Sequence, residues 1–338
     1  MTTGTAGSTG STRSTRPTEA RRRRIGRAWG AAALCALALA GCSARAVADG
    51  SGGTSAGTGA DADAKPAGTV TLNPSPKPTP SATPTPTPLK SLRGARVNIA
   101  EGQTVGVGMP ISVTFDHVIP AAERVDVERQ LKVTAADVEG SWSWVEDRNL
   151  GDGQRVDFRP RAYWKPGTAV TVRAGAGITR HFTVGRSLVA TVDVRTHTMT
   201  VEKAGSTRRV PITAGAPGMD TWNGTMVVSD KSAKVFMDSR TVGYGDSYAG
   251  YYYYAVHLTT SGTYLHQNPK ANTYAGHQNV THGCVGLATD GTAKRFYDEV
   301  IPGDVVTVVG SKDTVAAGNG YGDWNVSWEQ WQAGSALT

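Results

Sequence analysis

The pentapeptide Thr281-His282-Gly283-Cys284-Val285 carries the most informative chemistry of this 338-residue chain. The only other cysteines, Cys35 and Cys42, lie near the amino terminus. An imidazole two residues before the thiol favours its deprotonation, and the thiolate is the nucleophilic form, so we expect Cys284 to be ionised. Gly283 gives a substrate carbonyl room beside the sulfur and leaves backbone N–H groups free to hold an oxyanion. The pentapeptide therefore indicates acyl transfer.

Histidines cluster around this thiol, because four of the seven in the chain lie between residues 257 and 282. They offer a base, but together with Cys284 they also match the nitrogen and sulfur ligands of a zinc site, which is the main chemical alternative. Structural zinc sites favour closely spaced pairs of ligands, whereas Cys284 has only one close partner, so the pattern favours catalysis without a metal. The four are His257, predicted to be a strand residue, His266, His277, predicted to be exposed in a loop, and His282.

Alternating apolar and polar segments on both sides of the pentapeptide predict a mostly β catalytic domain over residues 187–312. One packed helix is predicted near residues 293–300, where four apolar side chains recur at helical spacing after the capping candidates Thr289 and Asp290. The predicted strands are residues 188–194, 199–201, 210–212 and 304–309, with hairpin turns near residues 196–197 and 204–205.

Residues 94–186 also show strand patterns, but they contain no motif that indicates chemistry. The spacing and the turn signals between the segments are typical of an immunoglobulin-like β-sandwich. The predicted strands are residues 111–115, 125–133, 142–144, 156–158, 169–172 and 181–184. We expect Trp142, Trp144 and Trp164 to fill the core of this sandwich rather than to bind sugars.

A tryptophan-rich extension, residues 313–338, ends the chain. Trp324, Trp328 and Trp331 follow a spacing of i, i+4 and i+7, which places them on one face if the segment is helical. We expect this face to pack against the catalytic domain.

The amino-terminal 42 residues have the features of an export signal. Seven arginines precede an apolar run at residues 31–40, which is too short to span a bilayer. The run ends in Leu39-Ala40-Gly41-Cys42, which resembles a bacterial lipobox, so we expect lipid on Cys42 and a location on the outer face of the cell membrane. Residues 43–93 are rich in Gly, Ser, Pro and Thr and predict a disordered tether.

Of the net charge of +7, the amino-terminal 42 residues, with seven Arg and one Glu, carry +6. The remainder of the chain holds 28 basic and 27 acidic residues and is almost neutral. Binding to nucleic acid requires a basic surface on the folded part, so this function is excluded.

His266 together with the pentapeptide resembles the signature of the L,D-transpeptidases, which have a YkuD-type catalytic domain. The similarity continues through residues 235–239 and 261–266 upstream, and through residues 296–298, 303–306 and 322–331 downstream. From about residue 94 to the end, the chain is similar to the actinobacterial membrane-anchored lipoprotein branch. The resemblance implies a mainly β fold in which an immunoglobulin-like domain precedes the catalytic domain.

The resemblance implies that Cys284 attacks the carbonyl that links the diamino acid of a peptidoglycan tetrapeptide stem to its terminal D-alanine. D-alanine leaves, and an amine of a second stem resolves the thioester into a 3-3 cross-link. No cofactor is implied, and β-lactams of the carbapenem class are expected to acylate the same thiol. The resemblance assigns His266 as the base, held through the backbone of Gln267, and His282 as a residue that shapes the site.

The remaining site residues also follow from the resemblance. The backbone around Gly283 is expected to form the oxyanion hole, and Tyr248 is expected to act as a lid. Met237, Ser261 and Gly286 complete the expected substrate-binding residues. The chain departs from the family at two positions, since Gly286 stands where Asn or Arg is usual and Gln267 stands where Ser is frequent.

Two further interpretations remain open on the sequence. If water resolves the thioester, the same residues make an L,D-carboxypeptidase or a wall endopeptidase. If the cysteine is inert, the chain is a non-catalytic scaffold that binds the cell wall, and Gly286 adds weight to this alternative.

Overall fold

The computed structural model describes residues 89–338 with the exception of Asp152. The predicted signal peptide, the lipid-accepting Cys42 and the tether up to residue 88 lie outside the described residues. None of the helices in the described part has the length and apolar character needed to cross a bilayer.

Two four-stranded sheets form the first domain. Its elements are β1 (Arg96–Val97), β2 (Thr104–Val105), β3 (Ile111–Phe115), α1 (Ala121–Arg129), β4 (Leu131–Thr134), β5 (Gly140–Val145), β6 (Gln154–Pro160), β7 (Ala169–Ala174) and β8 (Ile178–Val184), with 3-10 turns at Lys90–Leu92 and Arg148–Leu150. One sheet has the order β1-β3-β6-β5 and the other the order β2-β8-β7-β4. Their facing apolar side chains form one core, which confirms the predicted sandwich.

The prediction of a strand over residues 125–133 is wrong, because helix α1 occupies most of that segment and β4 begins only at Leu131. Val125 and Val127 alternate as in a strand, and this pattern led to the prediction. The residues before them favour a helix: Pro120 stands at the N-cap, and Ala, Glu and Arg follow it. Val127 alone then points into the core as a fully buried side chain.

The tryptophans of this domain are mainly core residues. Trp142 and Trp164 are buried, as predicted. Trp144 is only partly buried: its ring stacks on Phe115 with a centroid separation of 5.9 Å, and the guanidinium of Arg124 lies 4.9 Å from its centre. The sandwich therefore uses its large rings for packing.

The second domain is also mainly β. Its elements are β9 (Leu188–Asp193), β10 (Thr198–Lys203), β11 (Ser206–Pro211), β12 (Gly224–Val227), β13 (Asp230–Asp238), β14 (Ala249–His257), β15 (Tyr264–Gln267), α2 (Ala271–Tyr274), β16 (Val285–Leu287), α3 (Thr292–Glu299) and β17 (Val305–Val309), with a 3-10 turn at Ser239–Val242. A five-stranded sheet has the order β11-β10-β9-β17-β12, and a four-stranded sheet has the order β13-β14-β15-β16. The predicted strands and both hairpin turns are confirmed.

Helix α3 confirms the predicted helix and buries Ala293 and Phe296 against the two sheets. Asp290 contributes to its start by accepting a hydrogen bond from the N–H of Thr292 at 3.0 Å. Thr289 has another role, since its hydroxyl is bonded to the side chain of Asn272. The prediction of a single packed helix was incomplete, because α1 and α2 were not foreseen and a helix in the extension was considered only conditionally.

The extension ends in helix α4 (Trp328–Ala333), preceded by a 3-10 turn at Asp323–Asn325. The extension packs partly on the catalytic domain, as predicted, because Asn325 bonds to the backbone of Thr225, but its tryptophans contact the first domain. The guanidinium of Arg159, on β6 of the first domain, lies 4.9–5.4 Å from the rings of Trp324, Trp328 and Trp331. The ring N–H of Trp331 donates to the carbonyl of Ser141 at 2.9 Å. A cation shared by three rings cannot be foreseen from the spacing of the tryptophans alone.

The two domains meet at a close backbone contact. The N–H of Gly106 donates to the carbonyl of Pro302 at 2.8 Å, and the N–H of Gly108 donates to that of Gly303 at 2.8 Å. A Cβ on Gly106 would lie 2.2 Å from the carbonyl carbon of Gly303, so only glycine fits at this position. Val305 of β17 belongs to the apolar core of the first domain, and the domains therefore share part of their core.

A buried charge cluster, formed by Arg155, Asp147, Asp157 and Asp323, joins the sandwich to the extension. Arg155 contacts Asp147 at 2.8 Å and Asp157 at 3.1 Å, and it donates to the carbonyl of Gly320 at 2.8 Å. Burial raises the pKa of Asp157 and of Asp323, and the charge of Arg155 opposes the shift in both. Arg155 is thus the main group that offsets the burial of three carboxyl groups.

Candidate active site

The register of two parallel strands brings the proposed base and nucleophile together. In the pairing of β15 with β16, His266 lies opposite Gly286. Because side chains alternate along a strand, Cys284, two residues before Gly286, projects on the same face as His266. Both side chains line one cavity of about 270 Å³, which we call the thiol cavity. The structure therefore brings together the two residues on which the predicted chemistry depends.

The loop before the thiol is held by the side chain of Thr281. Its hydroxyl donates to the carbonyl of Cys284 at 2.6 Å and accepts a longer bond, 3.3 Å, from the N–H of Gly283. Gly283 has φ +107°, a conformation that residues with a side chain rarely adopt. The loop thus needs glycine for its backbone as well as for access to the sulfur.

The variant Gly283→Ala is expected to fold but to lose stability and activity. An added Cβ would have its nearest neighbour at 3.7 Å, so the cost is backbone strain of roughly 1–2 kcal/mol and not a clash. Urea unfolding measures this loss, and the rate of acylation measures the displacement of the N–H groups beside the sulfur. Gly177→Ala, at an open position with ordinary φ, is the matched control. Equal stability and activity of the two variants would contradict the proposed role of the Gly283 backbone.

The surroundings of Cys284 favour the protonated thiol and not the ionised sulfur that the motif led us to expect. The residue is only 9% exposed, and burial raises the pKa of the thiol to about 11, although a hydrogen bond from the backbone of Tyr264 opposes this shift. The sulfur donates to the carbonyl of Gly262 at 3.6 Å. A neighbouring histidine in the sequence says nothing about the desolvation of the sulfur, so the motif alone could not indicate this effect.

His266 is a neutral imidazole of defined tautomer. Its Nδ1 lies 2.7 Å from the carbonyl of Gln267, so Nδ1 carries the proton and Nε2 is left as the acceptor. Burial lowers the pKa of His266 below its ordinary value of 6.5, and the bond to Gln267 opposes this shift. The ring packs edge-on against Tyr252, with centroids 4.9 Å apart. A fixed and neutral imidazole in the same cavity as a protonated thiol is the arrangement required of a general base.

The hairpin of β13 and β14 covers the site. Near its tip the buried hydroxyl of Ser239 accepts a hydrogen bond from the N–H of Tyr248 at 2.9 Å, which fixes the position of that tyrosine. The Tyr248 ring lies 5.2 Å from the ring of His282, and burial raises the pKa of Tyr248 to about 12. Tyr248 is therefore a neutral phenol above the loop that carries the thiol.

A second cavity, of about 260 Å³, adjoins the thiol cavity at Tyr248 and His282, since both residues line the two cavities. Gly283, Ser261 and the acidic residue Asp220 are among the residues that line it. Ser261 accepts hydrogen bonds from the ring N–H of Trp222 at 3.2 Å and from the side chain of Asn319 at 2.9 Å. The thiol loop can thus be approached from two directions.

The remaining predicted site residues differ in their placement. Met237 lines the thiol cavity. Gly286 lines neither cavity, because it is buried beneath the side chains of Thr213 and Asn268. The structure adds Tyr252, Asn268 and Lys270 to the thiol cavity, and Trp222 and Tyr244 to the other one, none of which was predicted. The run of four tyrosines at residues 251–254 was the only signal in the sequence that pointed to one of them.

The histidines without a predicted catalytic role lie apart from this arrangement. His257 ends β14, where it bonds to Asp230 at 2.9 Å and stacks on Tyr264. His277 is exposed. Among residues 89–338 without Asp152, no group of three or more His, Cys, Asp or Glu side chains is arranged to hold a metal ion.

Comparisons with known proteins agree with this geometry. Residues 187–308 match the family model of the L,D-transpeptidase catalytic domain, and residues 75–177 match that of a bacterial Ig domain. The chain is 35% identical over 256 residues to L,D-transpeptidase 2 of Mycobacterium tuberculosis (strain CDC 1551 / Oshkosh), covering 70% of this chain and 60% of that relative. The match therefore spans less than two thirds of that longer protein.

Two further similarities cover most of the protein compared. L,D-transpeptidase 1 of Mycobacterium tuberculosis (strain H37Rv) is 36% identical over 222 residues, which are 64% of this chain and 84% of that relative. The solved structure of LD transpeptidase LdtMt1 in complex with imipenem shares 34% identity and a TM-score of 0.58, over 64% of this chain and 99% of that one. A cysteine and a histidine line one cavity, and an Ig-like domain precedes them; the chain belongs to the L,D-transpeptidase family.

Proposed function

We propose that this protein is a peptidoglycan L,D-transpeptidase that forms 3-3 cross-links through an acyl-enzyme on Cys284. The observation that carries the proposal is the pair of neutral reacting groups in the thiol cavity. Burial favours the protonated thiol of Cys284 and the neutral ring of His266, and His266 presents Nε2 as an acceptor on the same face of the sheet. The family membership and the imipenem complex of LdtMt1 support acyl transfer as the reaction.

Acylation follows from this arrangement. Nε2 of His266 removes the proton of Cys284 as the sulfur attacks the carbonyl between the diamino acid and D-alanine. Because both groups are neutral at the start, charge separates only as the reaction proceeds, and backbone N–H groups around Gly283 and Cys284 stabilise the oxyanion. The imidazolium then returns the proton to the departing nitrogen, D-alanine leaves as an amine, and a thioester remains.

The second half of the reaction requires an amine to reach the thioester. Two cavities of similar size meet at Tyr248 and His282, so a donor and an acceptor stem can approach from opposite sides. His266 deprotonates the attacking amine, the new amide bond forms, and the sulfur recovers its proton. Water following the same path gives hydrolysis, which is the L,D-carboxypeptidase or endopeptidase alternative.

The pH dependence of acylation is expected to have an acid limb only. His266 must be neutral, and its pKa is held below 6.5. The rate therefore falls when the pH drops below the pKa of His266 and the ring takes up a proton. The thiol, with a pKa of about 11, does not ionise near neutrality, so the rate stays level up to about pH 9. Stopped-flow acylation by a carbapenem across this range measures the profile. A rate that rises tenfold per pH unit around neutrality would show that the thiolate, and not the pair, is the reactant.

The inhibitor class and the location extend the proposal. The imipenem complex of LdtMt1 supports carbapenems as acylating inhibitors of this chain.

The arginine-rich segment, the apolar run and the lipobox-like residues before Cys42 support a lipid-anchored enzyme on the outer face of the membrane, facing the cell wall. Metabolic labelling with a tagged fatty acid tests the anchor, and label that persists in a Cys42→Ala variant would refute it.

Product analysis tests the reaction itself. The purified protein is incubated with disaccharide tetrapeptides, and the products are weighed by mass spectrometry. Cross-linked dimers with loss of D-alanine are expected. Tripeptides alone would establish hydrolysis in place of transfer, and unchanged tetrapeptides, with no carbapenem adduct, would favour the wall-binding scaffold.

A further inference from the structure

Asn268 and Lys270 lie in the thiol cavity but have no part in the mechanism above. Asn268 follows the last residue of β15, and its N–H donates to the carbonyl of Leu287, the last residue of the neighbouring strand β16, at 2.9 Å. Since side chains alternate, Asn268 faces the same way as His266 two residues earlier. The carboxamide therefore shares the face of the sheet that carries the base and the thiol.

The absence of a side chain at Gly286 makes room for this carboxamide. A Cβ on Gly286 would lie 3.0 Å from Cβ of Asn268, 3.3 Å from its Nδ2 and 2.9 Å from Cγ2 of Thr213. These distances are shorter than ordinary contacts between non-bonded atoms. A residue with a side chain at position 286 would therefore displace Asn268 from its observed position. Asn268 consequently supplies the polar group on this side of the thiol.

The carboxamide has a fixed orientation. The backbone N–H of Lys270 donates to Oδ1 of Asn268 at 3.0 Å, and because an N–H needs an acceptor, the oxygen must face it. The amino group of the carboxamide is then the free end that lines the cavity. Lys270, an exposed residue, lines the same cavity, so an amide side chain and a cationic side chain flank it.

The charges of the two cavities differ in sign. Within the described residues, the thiol cavity is lined by Lys270 and by no carboxylate, whereas the second cavity is lined by Asp313 and by Asp220, which pairs with Lys312 at 2.8 Å. A cationic and an amide donor side by side bind a carboxylate through charge-assisted hydrogen bonds. An anionic ligand is therefore favoured in the thiol cavity and disfavoured in the other.

We propose that Asn268 and Lys270 form a carboxylate-binding subsite for the donor stem peptide. The inference rests on the proposed function and deepens it. A stem that ends in D-alanine carries a carboxylate on the residue next to the scissile carbonyl, and a diamino acid with a carboxylated side chain carries another. The subsite places one of these carboxylates against Asn268 Nδ2 and the Lys270 ammonium, which holds the attacked carbonyl beside Cys284.

Steady-state release of D-alanine from a tetrapeptide donor tests the subsite. Asn268→Asp keeps the acceptor for the Lys270 N–H but replaces the donor by a charge that repels a carboxylate, and Lys270→Gln removes the cation. Each is expected to raise KM about tenfold to a hundredfold with a smaller change in kcat. Lys132→Gln, an exposed lysine of the first domain, is the matched control and leaves KM unchanged. Alkylation of Cys284 by uncharged iodoacetamide proceeds at the same rate in all of them, which a collapsed site would not allow.

Two modified donors identify the carboxylate. One ends in a carboxamide in place of the D-alanine carboxylate, and the other has lysine in place of the carboxylated diamino acid. The effect of the Asn268 and Lys270 variants is expected to vanish with one of them. The subsite is overturned if both variants have the KM of the wild type, or if their rise in KM persists with both modified donors. In either case, release of D-alanine by the wild type still upholds the proposed function. No release by the wild type with any donor overturns the function and the subsite together.

Discussion

Cys284→Ala is expected to abolish both cross-linking and the formation of a carbapenem adduct. The thiol is the only group at the site that can hold the acyl intermediate, and its removal leaves water to attack without a covalent step. Loss of an essential covalent nucleophile lowers kcat on the order of 10⁵-fold or more in other acyl-transfer enzymes. Intact-protein mass spectrometry after exposure to a carbapenem measures the adduct, and the tetrapeptide assay measures turnover.

The control for this variant is Cys42→Ala, which removes the other cysteine predicted to remain after export. This protein is expected to gain the mass of one carbapenem, as the wild type does. Cys284→Ala is expected to retain the unfolding transition of the wild type, since the change removes only a small buried sulfur. An adduct on Cys284→Ala, or its absence on the wild type, would reject the acyl-enzyme.

The second large effect concerns stability and lies outside the site. Arg155→Ala is expected to lower the free energy of unfolding by about 3–5 kcal/mol, because Asp147, Asp157 and Asp323 would stay buried without their cation. Arg155 is only 5% exposed, so water cannot substitute for it. Urea unfolding followed by tryptophan fluorescence measures the loss, since Trp324 and Trp331 of the extension lie close to this region.

Arg161→Ala is the matched comparison, because Arg161 pairs with Glu139 at the surface at a distance of 3.4 Å. Exposed pairs of this kind contribute about 0–1 kcal/mol, so this variant should unfold almost as the wild type does. Equal losses in the two variants would show that the buried cluster contributes no more than a surface ion pair. The double variant Asp157→Asn, Asp323→Asn is expected to be better tolerated than Arg155→Ala, since neutral groups need less compensation.

The sequence was sufficient for the parts of the fold and site that follow local patterns. Strict alternation predicted strands such as residues 111–115, and helical spacing predicted α3. The pentapeptide and His266 led to the family without any structure. These features depend on residue order and on spacing, and both can be read from the printed chain.

Features that depend on distant neighbours were not accessible in this way. The protonation of Cys284 depends on burial, which no motif reports. The burial of Gly286 beneath Asn268 depends on the register of two strands separated by a long loop. Arg159 lies against three tryptophans more than 160 residues later in the chain, so the packing of the extension on the sandwich as well as on the catalytic domain was not foreseen. Helix α1 was missed because two valines imitated the alternation of a strand.

The contact of Gly106 with Gly303 has a consequence for how this enzyme can be shortened. A recombinant fragment that begins at Ser187, where the catalytic match starts, would strip the cover from Val305 and leave the carbonyls of Pro302 and Gly303 without their donors. Such a fragment would expose an apolar surface to the solvent and would aggregate readily. The smallest fragment that stays soluble and folded therefore contains both domains. The sandwich stabilises the catalytic domain and does not serve only as a spacer.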